Sequence, residues 1–214
     1  MQEEGVIKFD LRYTDSTPVN LAPYEALNRW RSLLWERALI GQDPARYGGY
    51  GFGNVSQRTV SPDNDGQRSF IISGSQTGAL HTLHGEHYAT VTACDLAHNR
   101  VAAHGPIRPS SESLTHGMVY EQSNDIRVIL HAHSPDIWQA AVMLELPLTD
   151  ADVAYGTPAM AQEVNRLFDE TDVARVKLFS MGGHEDGIVS FGKTAEEAGT
   201  ILLETLSRAT ESRE

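Results

Sequence analysis

Arg127-Val-Ile-Leu-His-Ala-His-Ser-Pro135 is an apolar run that ends in two histidines. It reads as a buried strand. Side chains two apart on a strand point to the same face, so the imidazoles of His131 and His133 reach a common point. A third histidine, His184, sits in Met181-Gly-Gly-His-Glu-Asp-Gly187, just ahead of another strand-like run. Three neutral imidazoles with one open position make a catalytic zinc arrangement, whereas a structural zinc site fills all four positions. A His-x-His pair by itself also fits two satisfied core histidines or a proton relay without metal.

Outward from this strand, residues 23–40 carry an amphipathic helical pattern: Leu27, Trp30, Leu33, Leu34, Ala38 and Leu39 fall at i, i+3, i+4 spacing. Pro23 suits the first turn and Gly41 the stop. A strand near 53–60 pairs with Ser69–Ser73 through the turn residues Pro62–Gly66. Further strands are expected at 88–95, 99–104, 126–132, 174–179 and 187–192. Helices are expected at 111–123, 135–144, 157–169 and 194–210. Ser110 or Ser111 is placed to cap the first of these, and Thr194 with Glu197 forms a capping box for the last. The connections at 61–68 and 95–99 are too short for a parallel crossover, so a mixed or antiparallel sheet with helices packed on it is expected.

The chain has 214 residues, with 17 basic against 29 acidic side chains and a net charge of −12. One domain spanning 1–214 accommodates that length. Such an acidic chain does not bind nucleic acid through a basic field. Its one cysteine, Cys94, allows no intramolecular disulfide and reads as a small buried hydrophobe. The acidic start, Met1-Gln-Glu-Glu-Gly5, is followed by no apolar run, so no secretory signal is expected. No stretch approaches the length of a membrane span. The expected location is the cytoplasm.

Three other segments carry ligand-binding chemistry. Gly53-Asn-Val-Ser56 and Ser73-Gly-Ser-Gln-Thr-Gly78 combine glycines, which let backbone approach a ligand, with neutral donors suited to phosphate oxygens. Each taken alone reads as an ordinary turn, and neither is a Walker loop or a dinucleotide fingerprint. In Arg108-Pro-Ser-Ser-Glu112 two hydroxyls and free backbone N–H groups at a helix start suit an anion. Glu112 beside a metal suits a general acid/base, or it simply complements the helix dipole. His116, one turn on, either bonds Glu112 or packs. His81, His84 and His87 read as a solvated loop or helix start, and His98 and His104 as turn and strand-edge residues.

In their order and spacing these segments resemble the class II aldolase/adducin family, which includes the fuculose-phosphate and rhamnulose-phosphate aldolases. The resemblance runs from about residue 24 to 207. It implies a three-layer α/β/α fold with a largely antiparallel central sheet. It implies Zn2+, or another divalent ion such as Mn2+, Co2+ or Fe2+, on His131, His133 and His184. It implies Glu112 as the catalytic carboxylate and phosphate contacts at Gly53, Asn54, Thr77, Gly78, Ser110 and Ser111. The implied activity is aldol cleavage of a small ketose phosphate through a metal-stabilised enediolate by a homotetramer. A decarboxylase, dehydratase or epimerase would use the same metal site, and an adducin-like interaction module would need none of these side chains.

The chain departs from the family pattern in three places. Asp150-Ala-Asp-Val153 stands where the sugar aldolases carry a proton-donating tyrosine, leaving Tyr155 or a neighbouring subunit to replace it. Glu185 and Asp186 intervene between the late histidine and its glycine. The 73–78 loop is longer than usual by about two residues, as judged from the motif alignment.

Overall fold

In the computed structural model, which describes residues 6–59 and 69–212, the apolar run becomes a strand, Val128–His133, with every residue buried. In chain order it is β8. Its antiparallel neighbours are β4 (Asn54–Arg58) and β10 (Gly187–Gly192). Beyond β10 lies β9 (Leu178–Ser180). Beyond β4 lie β5 (Phe70–Ser73), β6 (Tyr88–Asp95), β7 (Arg100–Gly105) and β1 (Asp10–Asp15). The eight-stranded order is β1-β7-β6-β5-β4-β8-β10-β9. All neighbours are antiparallel except β1 and β7.

A strand apolar on both sides requires cover on both sides, and β8 has it. Val128, Leu130 and Ala132 share a core with Leu27 and Leu34 of α1 (Glu25–Glu36), Ile137 of α3 (Pro135–Ala140) and Leu202 of α6 (Ala195–Glu211). Ile129 packs in the opposite core with Leu114 and Met118 of α2 (Ser113–Gln122) and Val164 and Leu167 of α4 (Pro158–Glu170). The result is a three-layer α/β/α arrangement around a largely antiparallel sheet. By alternation His131 and His133 stand on the α2/α4 side.

The helix starts follow local chemistry. Ser134 and Thr157 accept from Ile137 N and Met160 N ahead of α3 and α4, each with proline at the first position. Thr194 likewise accepts from Glu197 N at 3.1 Å. The carboxylate of Glu197, however, takes Lys193 N and the Lys177 ammonium, so the expected capping box is only half made.

Several expectations need correction. The first helix ends at Glu36, not near Gly41, because Ala38 adopts a left-handed backbone with φ 54°. The apolar face of that helix also holds the buried Arg31. The helix expected over 135–144 stops at Ala140. The expected strand at 174–179 divides into a short helix α5 (Val173–Val176) and β9. Asp172 O accepts from Arg175 N and Val176 N, and Lys177 at φ 58° turns the chain into the strand. The sequence reading missed β1, whose half-buried Leu11 and Tyr13 alternate with exposed neighbours. It also missed the short pair β2 (Gly41–Gln42) and β3 (Gly51–Phe52). The Pro62–Gly66 turn lies outside the described residues.

Candidate active site

Strand register assembles the histidines. His131 lies opposite Asn54 of β4 and Val189 of β10, and His133 lies opposite Gly187. The loop before β10 turns back, with Met181 N donating to Gly187 O and Gly187 N to His184 O. That loop sets the His184 ring 5.2 Å from His131 and 4.7 Å from His133, centroid to centroid. Glycine suits position 187, because a Cβ there would crowd the His184 ring at 3.1 Å. One ligand atom from each of the three buried histidines lies within 4.8 Å of the others.

Their protonation suits a cation. Burial first, then the nearby His184, holds His131 and His133 well below the ordinary imidazole range, so both are neutral donors. His131 Nδ1–H donates to Ile188 O at 3.1 Å, which leaves Nε2 for a ligand. Among the described residues neither ring nitrogen of His133 has a hydrogen-bond partner, although the side chain is wholly buried. Unsatisfied buried nitrogens are costly, and a divalent ion would engage one of the two. The buried triad is fit to hold one.

Glu112, immediately before α2, is buried with Oε1 3.6 Å from His184 Nδ1. Ser110 Oγ accepts from Glu112 N at 3.2 Å, fixing the chain as it enters the helix. Behind His184, the ring of Tyr155 stacks at 4.5 Å with 26° between planes, and the Lys8 ammonium covers the Tyr155 ring. The His116 imidazole does not bond the Glu112 carboxylate; only the backbone N of His116 donates to Glu112 O, at 3.0 Å. Its Nδ1 is 2.7 Å from Ser56 Oγ, which is 2.8 Å from the Tyr120 hydroxyl, and burial lowers the imidazole to about 3. Ser56 therefore belongs to the α2 packing.

Gly53, Asn54, Thr77, Gly78, Ser110, Ser111, Glu112 and His131 all line one polar cleft, together with Gly51, Gly74, Ser75 and Gln76. Among the described residues no lysine or arginine lines it. Arg108 is exposed and contributes only its carbonyl, which accepts from Ser75 N. The close approaches explain two glycines. Gly53 has φ 72° and lies against Ile40, and a Cβ on Gly78 would collide with Gly41 O.

The support for this cleft comes from α1. Arg31, in a helix interior and almost wholly buried, donates to the carbonyls of Thr77, Leu80 and His81. Trp35 Nε1–H donates to Gly78 O at 2.9 Å. Burial lowers the Arg31 guanidinium to about 10, and it stays charged at neutral pH. Sequence reading passed over Arg31, yet a charged residue on an apolar helix stripe was a legible signal. It also passed over Tyr47, which donates to Asp186 Oδ2 at 2.6 Å and meets His133 edge-on with centroids 4.6 Å apart.

The sequence profile of the class II aldolase and adducin N-terminal domain matches residues 45–211. The chain belongs to the class II aldolase and adducin family. Solved structures of this family share its fold. The L-fuculose-1-phosphate aldolase of Thermus thermophilus superposes with a TM-score of 0.61 at 20% identity, covering 88% of this chain and 91% of its own. YgbL of Klebsiella pneumoniae, a putative aldolase/epimerase/decarboxylase, gives 0.63 at 18% identity, covering 87% and 86%. A sugar-phosphate aldolase of Thermotoga maritima gives 0.60 at 15%, covering 87% and 90%. No curated protein matches by sequence. Class II aldolase membership supports a lyase-type enzyme, and the triad supports a divalent metal. No helix among the described residues is long and apolar enough to cross a membrane.

Proposed function

We propose that this class II aldolase family member is a metal-dependent aldolase that cleaves a small ketose phosphate. The observation that carries the reading is a buried carboxylate, Glu112, beside three convergent imidazoles, with Glu112 and His131 both lining a polar cleft. His131, His133 and His184 would hold the ion, zinc by preference for an all-imidazole set. When bound, it supplies Lewis-acid stabilisation of negative charge on substrate oxygens.

The chain's own residues do the rest. Glu112 gives or takes the proton at the carbon where the C–C bond is made or broken. Gly53, Asn54, Thr77, Gly78, Ser110 and Ser111 receive the phosphate with neutral donors and the start of α2. That grip fixes the reacting carbon against Glu112. Asn54 lines the cleft wall, where its amide NH2 is a neutral donor for a phosphate oxygen. Expected assembly is a homotetramer in the cytoplasm, and sedimentation showing only a 23.5 kDa species at micromolar concentration contradicts it.

One observation favours a second reading. Residues 150–153 contain no tyrosine, and the buried Tyr155 ring is committed to stacking behind His184. An epimerase, dehydratase or decarboxylase keeps the same triad and Glu112 without needing a tyrosine donor to an aldehyde. The adducin-like module has no use for a buried triad with a carboxylate beside it. Incubation of the metal-loaded protein with a panel of phosphorylated ketoses, with product analysis, separates these. Aldehyde plus a three-carbon ketone phosphate supports the aldolase. An isomeric sugar, water loss or CO2 release supports the second reading.

A further inference from the structure

Two non-glycine residues with left-handed backbone face each other beside the histidine cluster. Tyr47 has φ 49° and Asp186 has φ 61°. Such conformations cost free energy and persist only where surroundings impose them. Here the imposing contacts are visible. The Tyr47 hydroxyl donates to Asp186 Oδ2 at 2.6 Å and accepts from Arg46 Nη2 at 2.7 Å. Arg46 in turn donates to Ala38 O at 3.0 Å and lies over the rings of Tyr47 and Phe52. These contacts join residues 139 apart in sequence.

Both partners reach the triad. The Tyr47 ring meets His133 edge-on at 4.6 Å and 71°. Asp186 O accepts from Ser134 N at 2.8 Å, immediately after His133, and Asp186 lies between His184 and the Gly187 that pairs with His133. Asp186 is one of the two residues that stand between His184 and Gly187. This short segment therefore supplies the acceptor for Tyr47.

We propose that Arg46, Tyr47 and Asp186 form a latch that clamps the His184 loop onto the His133 strand end and so orients and retains the metal ion. The three are positioning residues: Tyr47 walls His133, and Asp186 fixes the turn that presents His184. The proposal rests on the metal reading of the triad. Its structural half, the clamp itself, is measurable without metal.

The test uses the full chain loaded with Co2+, with ion release followed after addition of a chromophoric chelator. Tyr47→Phe keeps the ring against His133 but loses the hydroxyl. Asp186→Ala loses the acceptor, and Asp186→Asn keeps an oxygen for the hydroxyl. Release should quicken roughly 10–100-fold in Tyr47→Phe and Asp186→Ala, the usual effect of removing a residue that supports metal ligands. The Co2+ visible spectrum should change in both, while Asp186→Asn stays close to the parent. Release at the parent rate in Tyr47→Phe overturns the latch, as does a loss in Asp186→Asn equal to that in Asp186→Ala. In the metal-free protein, amide exchange at Ser134, His184 and Gly187 should be faster in Tyr47→Phe. If the parent chain binds no Co2+, the metal reading fails by itself. Exchange then decides the latch, and unchanged protection at those amides overturns it.

Discussion

Glu112 Oε1 lies 3.6 Å from His184 Nδ1, with both side chains buried. A carboxylate that served only the dipole of α2 would stand in solvent at the helix end. Here it is enclosed with a proposed metal ligand. Glu112→Gln should therefore lower kcat by about 10²–10⁴ while metal content is retained, the range expected for a lost general acid/base. An unchanged rate constant in steady-state kinetics would return Glu112 to the role of a helix-end charge.

Arg31 offers a test of how the cleft is built. Replacement by Met removes charged donors to three carbonyls of the 77–81 segment; Thr77 O keeps Leu80 N and His81 O keeps the Ser32 hydroxyl, while Leu80 O loses the guanidinium. A hydrogen bond from a charged donor contributes about 1.5–3 kcal/mol. Denaturant midpoints should fall accordingly, and KM for a phosphorylated substrate should rise more than kcat falls. A parent-like midpoint and KM would show that the loop holds its shape without the arginine.

Burial of imidazoles gives the stability a pH dependence of definite sign. His116 is held at about 3, against about 6.5 in an unfolded chain. As pH falls between these values the unfolded chain takes up a proton that the folded chain refuses, so stability present above 6.5 is lost on acidification. His131 and His133 act in the same direction. In metal-free protein, His116→Gln should flatten the fall in stability between pH 6.5 and 4 relative to the parent. Parallel curves from chemical denaturation would mean that His116 is already protonated in the fold.

The anion reading is exposed to a simple kinetic check. A phosphorylated ketose should be turned over far better than its dephosphorylated form, with inorganic phosphate competing, and Thr77→Val should raise KM. Equal turnover of the two forms without phosphate inhibition would leave the cleft a binding place for a different, uncharged group.

Much of this arrangement was written in local pattern. The period-2 face of His131 and His133, the glycine and proline punctuation, and the cap at Thr194 depend on neighbours in sequence. So an antiparallel sheet with helices on it followed from local pattern, while the three layers and the choice of Gly53, Asn54, Thr77, Gly78, Ser110, Ser111 and Glu112, which line one cleft, came from the resemblance to the family. What escaped depends on contacts far apart in the chain. Arg31 is buried only because the carbonyls of residues 77–81 come to meet it. Tyr47 finds Asp186 only once β10 has folded against β8. The strand expected at 174–179 failed because Val173-Ala-Arg-Val176 is β-branched in composition yet closes a helical turn on Asp172 O. β1 was legible in the alternation of Leu11 and Tyr13, but its parallel partner is β7, some 90 residues away.

The central claim is that three buried imidazoles hold a catalytic divalent ion. Elemental analysis of the purified chain, beside the His131→Ala/His133→Ala/His184→Ala variant, tests it most directly. The account predicts close to one divalent ion per parent chain, chiefly zinc, and none in the folded variant, with turnover lost in parallel. Stoichiometric metal and activity persisting in the triple variant would contradict it.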